Sequence, residues 1–345
     1  MDEHATSTDA TGGGTAPARM QALHQGAYGP PEVLSVTEVD RPEAGPGQVL
    51  VRVRAAGLDR GTWHLVAGLP YLIRPIEGWR RPRHEILGLD LSGEVVAVGE
   101  GVDGLRPGTE VYGTARGALA EYVVADPARL APKPAGISFE AAAAVPVSAL
   151  TALQALRDQA DVVAGQRVLI LGASGGVGSY AVQLAKALGA HVTGVCSAAK
   201  AELVAGLGAD EVIDYRTTDP VDGSTRYDAI LDIGGNRPLR ALRRALTPRG
   251  TLVIVGGEGG GRLLGGTERL LRALLWSPLL RQRMRTFISS ENRADLEALS
   301  AHLESGAVVP AVERVVALGD VAAELARLER GEVRGKVVVA VGAAG

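Results

Sequence analysis

Apolar and polar positions along the chain fall into two textures, and the change between them comes near residue 138. Before it, short apolar-rich runs (VLSVTEV, QVLVRVRAAG, GEVVAVGEGV, GALAEYVVA) are separated by Gly/Pro turns such as GPP, AGPGQ and RPGTE. Runs of that length bounded by turn residues predict the strands of a small barrel or sandwich. From Ser138 the stretch SFEAAAAVPVSALTALQALRD reads as helix, with Ser138 at its cap and Glu140 in its first turn. Strands and helices then alternate: QRVLILG, VGSYAVQLAKAL, HVTGVC, AELVAGL, EVIDY, YDAILDIG, RPLRALRRAL and TLVIVGG. Short apolar runs between helices are what a parallel sheet covered on both faces requires. Two further helices (NRADLEALSAHLESG, DVAAELARLERG) and a strand (GKVVVAV) close the chain.

Composition narrows the function classes. A chain of 345 residues suggests two domains. A net charge of -3 and 3% aromatic residues give no footing for a nucleic-acid partner. The single cysteine, Cys196, excludes an intrachain disulfide framework and a Cys-rich zinc lobe, and fits a cytoplasmic setting. No run reaches the ~18 apolar residues of a membrane span. MDEHATSTDATGGGTAPAR lacks a signal-peptide pattern and the means to bury a core, so residues 1–19 are expected to form a disordered tail.

The strongest chemical signal is LILGASGGVGSYAVQLAKALGA. Gly172 ends a strand, Ser174, Gly175, Gly176 and Gly178 occupy the turn, and Val177 begins a helix whose apolar residues recur at helical spacing. Glycines let backbone N–H groups approach a pyrophosphate, and the helix start adds partial positive charge. The bland alternative is tight strand–helix packing; the strand–turn–helix context favours a dinucleotide. At the end of the second strand NAD sites carry an acid about 20 residues past the fingerprint. Here VTGVCSAAK offers Ser197 and Lys200 instead. A hydroxyl and an ammonium suit a 2′-phosphate, so NADPH is expected over NADH.

These residues carry a family resemblance. The AAAA helix, the GASGGVG turn, LGADEVIDY and the terminal RGKVVVAV resemble the medium-chain dehydrogenase/reductase superfamily, and GGVGxxxxQLAK with LGAxxVIDY resembles its zinc-independent quinone oxidoreductase branch. The resemblance implies an α/β protein: a Rossmann nucleotide-binding domain (144–288) and a GroES-like β-rich catalytic domain in two segments (20–143 and 289–345), with the active site in the cleft. It also implies a homodimer paired through the Rossmann sheet. It places Thr151, Gly234, Val255 and Gly256 toward the nicotinamide, the last three within the DIGG and VGG stretches, and Tyr215 beside the 2′-phosphate with Ser197 and Lys200. Thr151 has an alternative duty, satisfying a helix carbonyl, and Tyr215 another as a half-exposed strand residue.

The zinc enzymes of that superfamily use a Cys in an AAGVCHTD-like stretch, a His in GHE and a third ligand before the following helix. On that pattern the positions fall on Asp59, Leu89 and Val147, and one carboxylate does not make a catalytic zinc site. No zinc is therefore expected. His84-Glu85 mimics the motif five residues early and reads as loop, and Asp90 as a strand-entry carboxylate bonded to amides. His64 sits where a relay histidine would, but Gly61 replaces the relay hydroxyl. His64 is thus a pocket or structural residue, with general acid as the alternative. Asp59 would bond a ribose hydroxyl, or donate a proton if burial raised its pKa.

Without a Lewis acid, reduction of a polarised acceptor is the accessible chemistry. The expected function is NADPH-dependent hydride transfer to small apolar quinones, α,β-unsaturated carbonyls or related carbonyls. An alcohol dehydrogenase, an enoyl reductase and a non-catalytic NADPH-binding sensor stand as alternatives. Residues 262–285 carry six arginines against one acid, Glu268. That pattern reads as a helix over the cofactor cleft, with a membrane-surface or partner helix as the rival.

Overall fold

The computed structural model describes residues 18–235, 237–256, 261–265, 269, 273 and 281–342. Fifteen strands are present among them: β1 (Arg19–Gln25), β2 (Leu34–Asp40), β3 (Val49–Leu58), β4 (Asp90–Val98), β5 (Glu110–Thr114), β6 (Tyr122–Ala125), β7 (Leu130–Pro132), β8 (Arg167–Leu171), β9 (His191–Cys196), β10 (Glu211–Asp214), β11 (Tyr227–Asp232), β12 (Leu246–Ile254), β13 (Arg283–Thr286), β14 (Val312–Ala317) and β15 (Lys336–Ala340).

Three sheets result. β1 and β2 form a hairpin-like pair; β14-β15-β3-β4-β5-β7, with β6 on β3, form a mixed sheet; and β10-β9-β8-β11-β12-β13 form a parallel one. The C-terminal strands thus return to the sheet built by the first part of the chain, β15 pairing antiparallel with β3. β3 is apolar on nearly every position because it is flanked by β15, β4 and β6. The apolar cores inside the mixed sheet and around the parallel sheet are separate clusters. Burying each Leu or Val in them contributes roughly 1.5–3 kcal/mol.

Several expectations need adjustment. The tail expected over 1–19 ends earlier, since Arg19 opens β1 opposite Asp40; residues 1–17 lie outside the described residues. The helix expected from Ser138 is two, Phe139–Ala143 and Pro146–Gln154. Ser138 Oγ caps the first as expected, by accepting the Ala141 N–H at 3.1 Å. Pro146 has no N–H to continue that helix and instead starts the second. A wide π turn over Ala155–Gln159 follows. β1, β5, β7, β13 and β14 were not expected individually. The helix expected over 262–285 lies mostly outside the described residues.

Candidate active site

The fingerprint folds as the sequence requires. β8 ends at Leu171, Gly172 takes φ 88°, Gly175 is the N-cap, and the helix runs Gly176–Ala187. A Cβ on Gly178 would stand 2.1 Å from the Gly172 carbonyl oxygen, so no larger residue fits that crossing. Ala181, Leu184 and Ala185 bury the inner face of this helix. Its open end therefore presents N–H groups and partial positive charge at the carboxyl edge of the parallel sheet.

Beside that turn lies a cavity of about 310 Å³. Six of the sequence-derived residues line it together: Gly172, Ser174, Ser197, Lys200, Tyr215 and Gly234. Gly175, Gly176, Val177 and Gly178 form the turn and first helical turn behind it. The lining also contains Arg216, Arg237 and Arg330, which the sequence did not suggest. Its one carboxylate is Asp232, buried at the end of β11, held by the Gly235 N–H and by the Arg269 guanidinium. Burial raises the Asp232 pKa although Arg269 opposes the rise. Arg237 is paired with Asp219 at 2.8 Å and Arg330 with Glu332 at 2.7 Å, so Lys200 and Arg216 are the lining cations with no acid partner among the described residues.

Lys200 is more engaged than expected. Its ammonium donates to the Gly331 and Val333 carbonyls, each at 2.7 Å, and partial burial lowers its pKa. That bond draws the C-terminal segment, with Arg330, onto the nucleotide side of the parallel sheet. Gly335 N–H repeats the link by donating to Ser174 O at 2.8 Å.

Where the two large sheets meet, a fully buried ion pair joins β4 to β15. Lys336 Nζ donates to Asp90 Oδ2 at 3.0 Å and to Ser148 Oγ at 3.2 Å. Asp90 Oδ1 accepts the Val147 N–H at 2.8 Å. Burial pushes the Asp90 carboxyl up to about 6, with Lys336 pulling it down and Asp59 pushing further up. A Cβ on Gly176 would meet Ser148 Oγ at 3.1 Å and Lys336 Cδ at 3.2 Å, so this pair sits against the first turn of the fingerprint helix. The expected amide bond at Asp90 is present; its lysine partner, 246 residues away, was not legible.

Asp59 is the N-cap of helix Arg60–Ala67. Its Oδ1 accepts the Thr62 N–H at 2.8 Å, while its buried Oδ2 has no partner among the described residues. His64, one turn later, has Nδ1 2.9 Å from the Leu69 carbonyl, which makes Nδ1 the protonated nitrogen. Thr151 donates its hydroxyl to the Val147 carbonyl at 2.7 Å and lies 3.0 Å from Ser289 Oγ. Val255 and Gly256 follow β12 and donate their N–H groups to Asp232 O. Thr151, Val255 and Gly256 are not among the cavity's lining residues.

The three zinc positions can be tested on this geometry. Val147 is tied to Asp90, and Leu89 precedes Asp90 in the chain, so the aliphatic side chains belong to the same junction. Asp59 already spends one oxygen on its helix. Among the described residues no three His, Cys, Asp or Glu side chains gather to hold a metal. The donor set does not fit a catalytic zinc.

A parallel sheet with a glycine fingerprint and a cavity at its carboxyl edge, joined to a β-rich sheet, has the architecture of a dinucleotide-binding protein. Residues 45–135 match the alcohol dehydrogenase GroES-like domain, and residues 207–339 match the zinc-binding dehydrogenase family. The chain is 33% identical to the mitochondrial NAD(P)H oxidoreductase RTN4IP1 of Mus musculus, over 86% of this chain and 82% of that one. It is 30% identical to the chloroplastic quinone-oxidoreductase QR1 of Triphysaria versicolor, over 93% and 98%. The quinone oxidoreductase of Coxiella burnetii superposes with a TM-score of 0.80 at 29% identity, covering 94% of this chain and all of that one. The chain belongs to the medium-chain dehydrogenase/reductase superfamily, in its quinone oxidoreductase-like branch, and is an oxidoreductase enzyme.

Proposed function

We propose that the protein reduces small apolar quinones and α,β-unsaturated carbonyls with NADPH, without zinc. The observation that carries the cofactor preference is the cationic lining of the 310 Å³ cavity: Lys200, Arg216 and Arg330 beside Ser197 and Tyr215. No carboxylate stands at the end of β9 to repel a 2′-phosphate, where Cys196 is followed by Ser197. Gly172, Ser174 and Gly175 to Gly178 would hold the pyrophosphate. Thr151, Gly234, Val255 and Gly256 would border the nicotinamide. When bound, the dinucleotide supplies a hydride.

The chain's own residues orient the reaction and keep it dry. Asp59 Oδ2, buried and unpartnered among the described residues, suits a ribose hydroxyl donor. His64 is fixed by the Leu69 carbonyl and shapes the pocket wall. No protein proton donor is required, because a quinone or enone spreads the incoming charge onto oxygen and water protonates it. Quinones suit this site better than simple alcohols, whose oxidation needs a stabilised alkoxide that Leu89 and Val147 cannot support. The reading includes a homodimer through the outer edge of β13, which ends the parallel sheet, and a cytoplasmic setting consistent with the buried free Cys196. Cofactor oxidation by metal-stripped protein with a panel of quinones, enones and alcohols tests it. Turnover of alcohols alone, or a requirement for added zinc, overturns it.

A further inference from the structure

Twelve large apolar side chains are exposed among the described residues, and six of them, Tyr71, Leu72, Ile76, Trp79, Leu263 and Leu264, belong to two adjoining segments. The segments are tied by the Tyr71 N–H donating to Arg262 O at 2.9 Å and the Leu72 N–H donating to Leu263 O at 3.3 Å. Leu72 and Ile76 stand four apart in continuous helical turns over 71–77, so they share a face. Leu72 is 52% exposed, Ile76 68% and Trp79 70%. The Arg83 N–H folds the following loop back onto Glu77 O at 2.6 Å, which keeps Arg80, Arg81 and Arg83 beside Trp79.

The charge here is one-sided. Arg80, Arg81 and Arg83 make no ion pair among the described residues. The two acids of the segment are already committed, Glu77 to Arg116 at 3.1 Å and Glu85 to His24 at 3.2 Å. Arg74 lies over the Tyr28 and Tyr71 rings and adds a further cation. Large apolar groups rimmed by uncompensated arginines are a rare surface unless something covers them. Leu, Ile and Trp suit the acyl–headgroup boundary, and guanidinium groups suit lipid phosphates.

We infer that residues 71–83 with Arg262 and Leu263 form a docking surface for an anionic phospholipid bilayer. Charge complementarity selects that occupant over a neutral bilayer, and the aliphatic and Trp side chains select it over a purely acidic protein surface. The patch adjoins the Leu69 turn that holds His64, and Gly265 packs on Pro70. On the reading proposed above, docking brings the substrate cleft close to lipid-dissolved acceptors.

The test uses the full chain without cofactor or substrate, so failed turnover leaves it standing. The protein is sedimented with extruded vesicles of mixed phosphatidylglycerol and phosphatidylcholine, and with phosphatidylcholine alone. Binding to the anionic vesicles should exceed binding to the neutral ones roughly tenfold and fall with salt. Ile76→Ser/Trp79→Ser and Arg80→Glu/Arg81→Glu should each reduce it roughly tenfold, while the melting temperature is unchanged. Absence of binding, or variants that bind like wild type, overturns the inference. So does a change of oligomeric state in these variants by light scattering without vesicle binding, which would assign the patch to a second copy of this chain.

Discussion

Replacing Asp90 by Asn tests the buried ion pair that links β4 to β15 within the mixed sheet. The carboxylate is completely buried, and its pKa of about 6 against an ordinary 3.8 corresponds to about 3 kcal/mol of disfavoured charge at neutral pH. The native state therefore holds a proton between about pH 4 and 6 that the unfolded state has released. Stability from this group falls as pH rises through that window and is level above it. Asp90→Asn removes that slope and keeps an oxygen for the Val147 N–H. It also leaves the Lys336 ammonium buried with only Ser148 Oγ. Breaking such a pair costs about 3–5 kcal/mol, a loss of about 4–7 °C in the melting temperature of a chain this long. Lys336→Met costs less, because Asp90 can take up a proton and become neutral. The double variant buries no charge and should recover most of the Asp90→Asn loss. Thermal unfolding of the four proteins across pH 4–8 reads all of this. Additive losses in the double variant, or an unchanged pH slope in Asp90→Asn, would refute the reasoning.

The remaining expectations concern the cradle and the pocket wall. Gly178→Ala forces a Cβ against the Gly172 carbonyl, so cofactor affinity measured by fluorescence titration should fall at least about tenfold, with about 1–3 kcal/mol of lost stability. Lys200→Ala with Arg330→Ala should raise the KM for NADPH by roughly 10–100-fold and barely move that for NADH; equal effects on both would remove these cations from the 2′-phosphate. Asp59→Asn retains an N-cap acceptor and should keep most activity. A fall in kcat beyond about 100-fold would make Asp59 a proton donor instead. Asp59→Ala should cost about 1 kcal/mol in chemical denaturation through the lost cap alone.

The parallel sheet and its fingerprint were legible because their signals are local. Strand, glycine turn and helix follow one another within about twenty residues, and each glycine has a steric reason visible in the spacing. The capping role of Ser138 was likewise local. Asp59 carried the same kind of signal, a carboxylate three residues before Thr62, but the family pattern drew attention to it as a lost ligand. What stayed hidden is long-range. Nothing near Asp90 announces Lys336, and nothing near Lys200 announces the Gly331 and Val333 carbonyls or Arg330. β13 and β14 are short and arginine-bearing, and only their sheet neighbours make them strands. A lysine heading the buried run VVVAV was a usable hint, since a charge there needs a partner.

The most direct measurement is the cofactor and acceptor dependence of the purified enzyme after chelator treatment. NADPH oxidation should proceed with a small quinone, with kcat/KM for NADPH well above that for NADH, and added zinc should change neither. Preference for NADH, or activity restored only by zinc, would contradict the account.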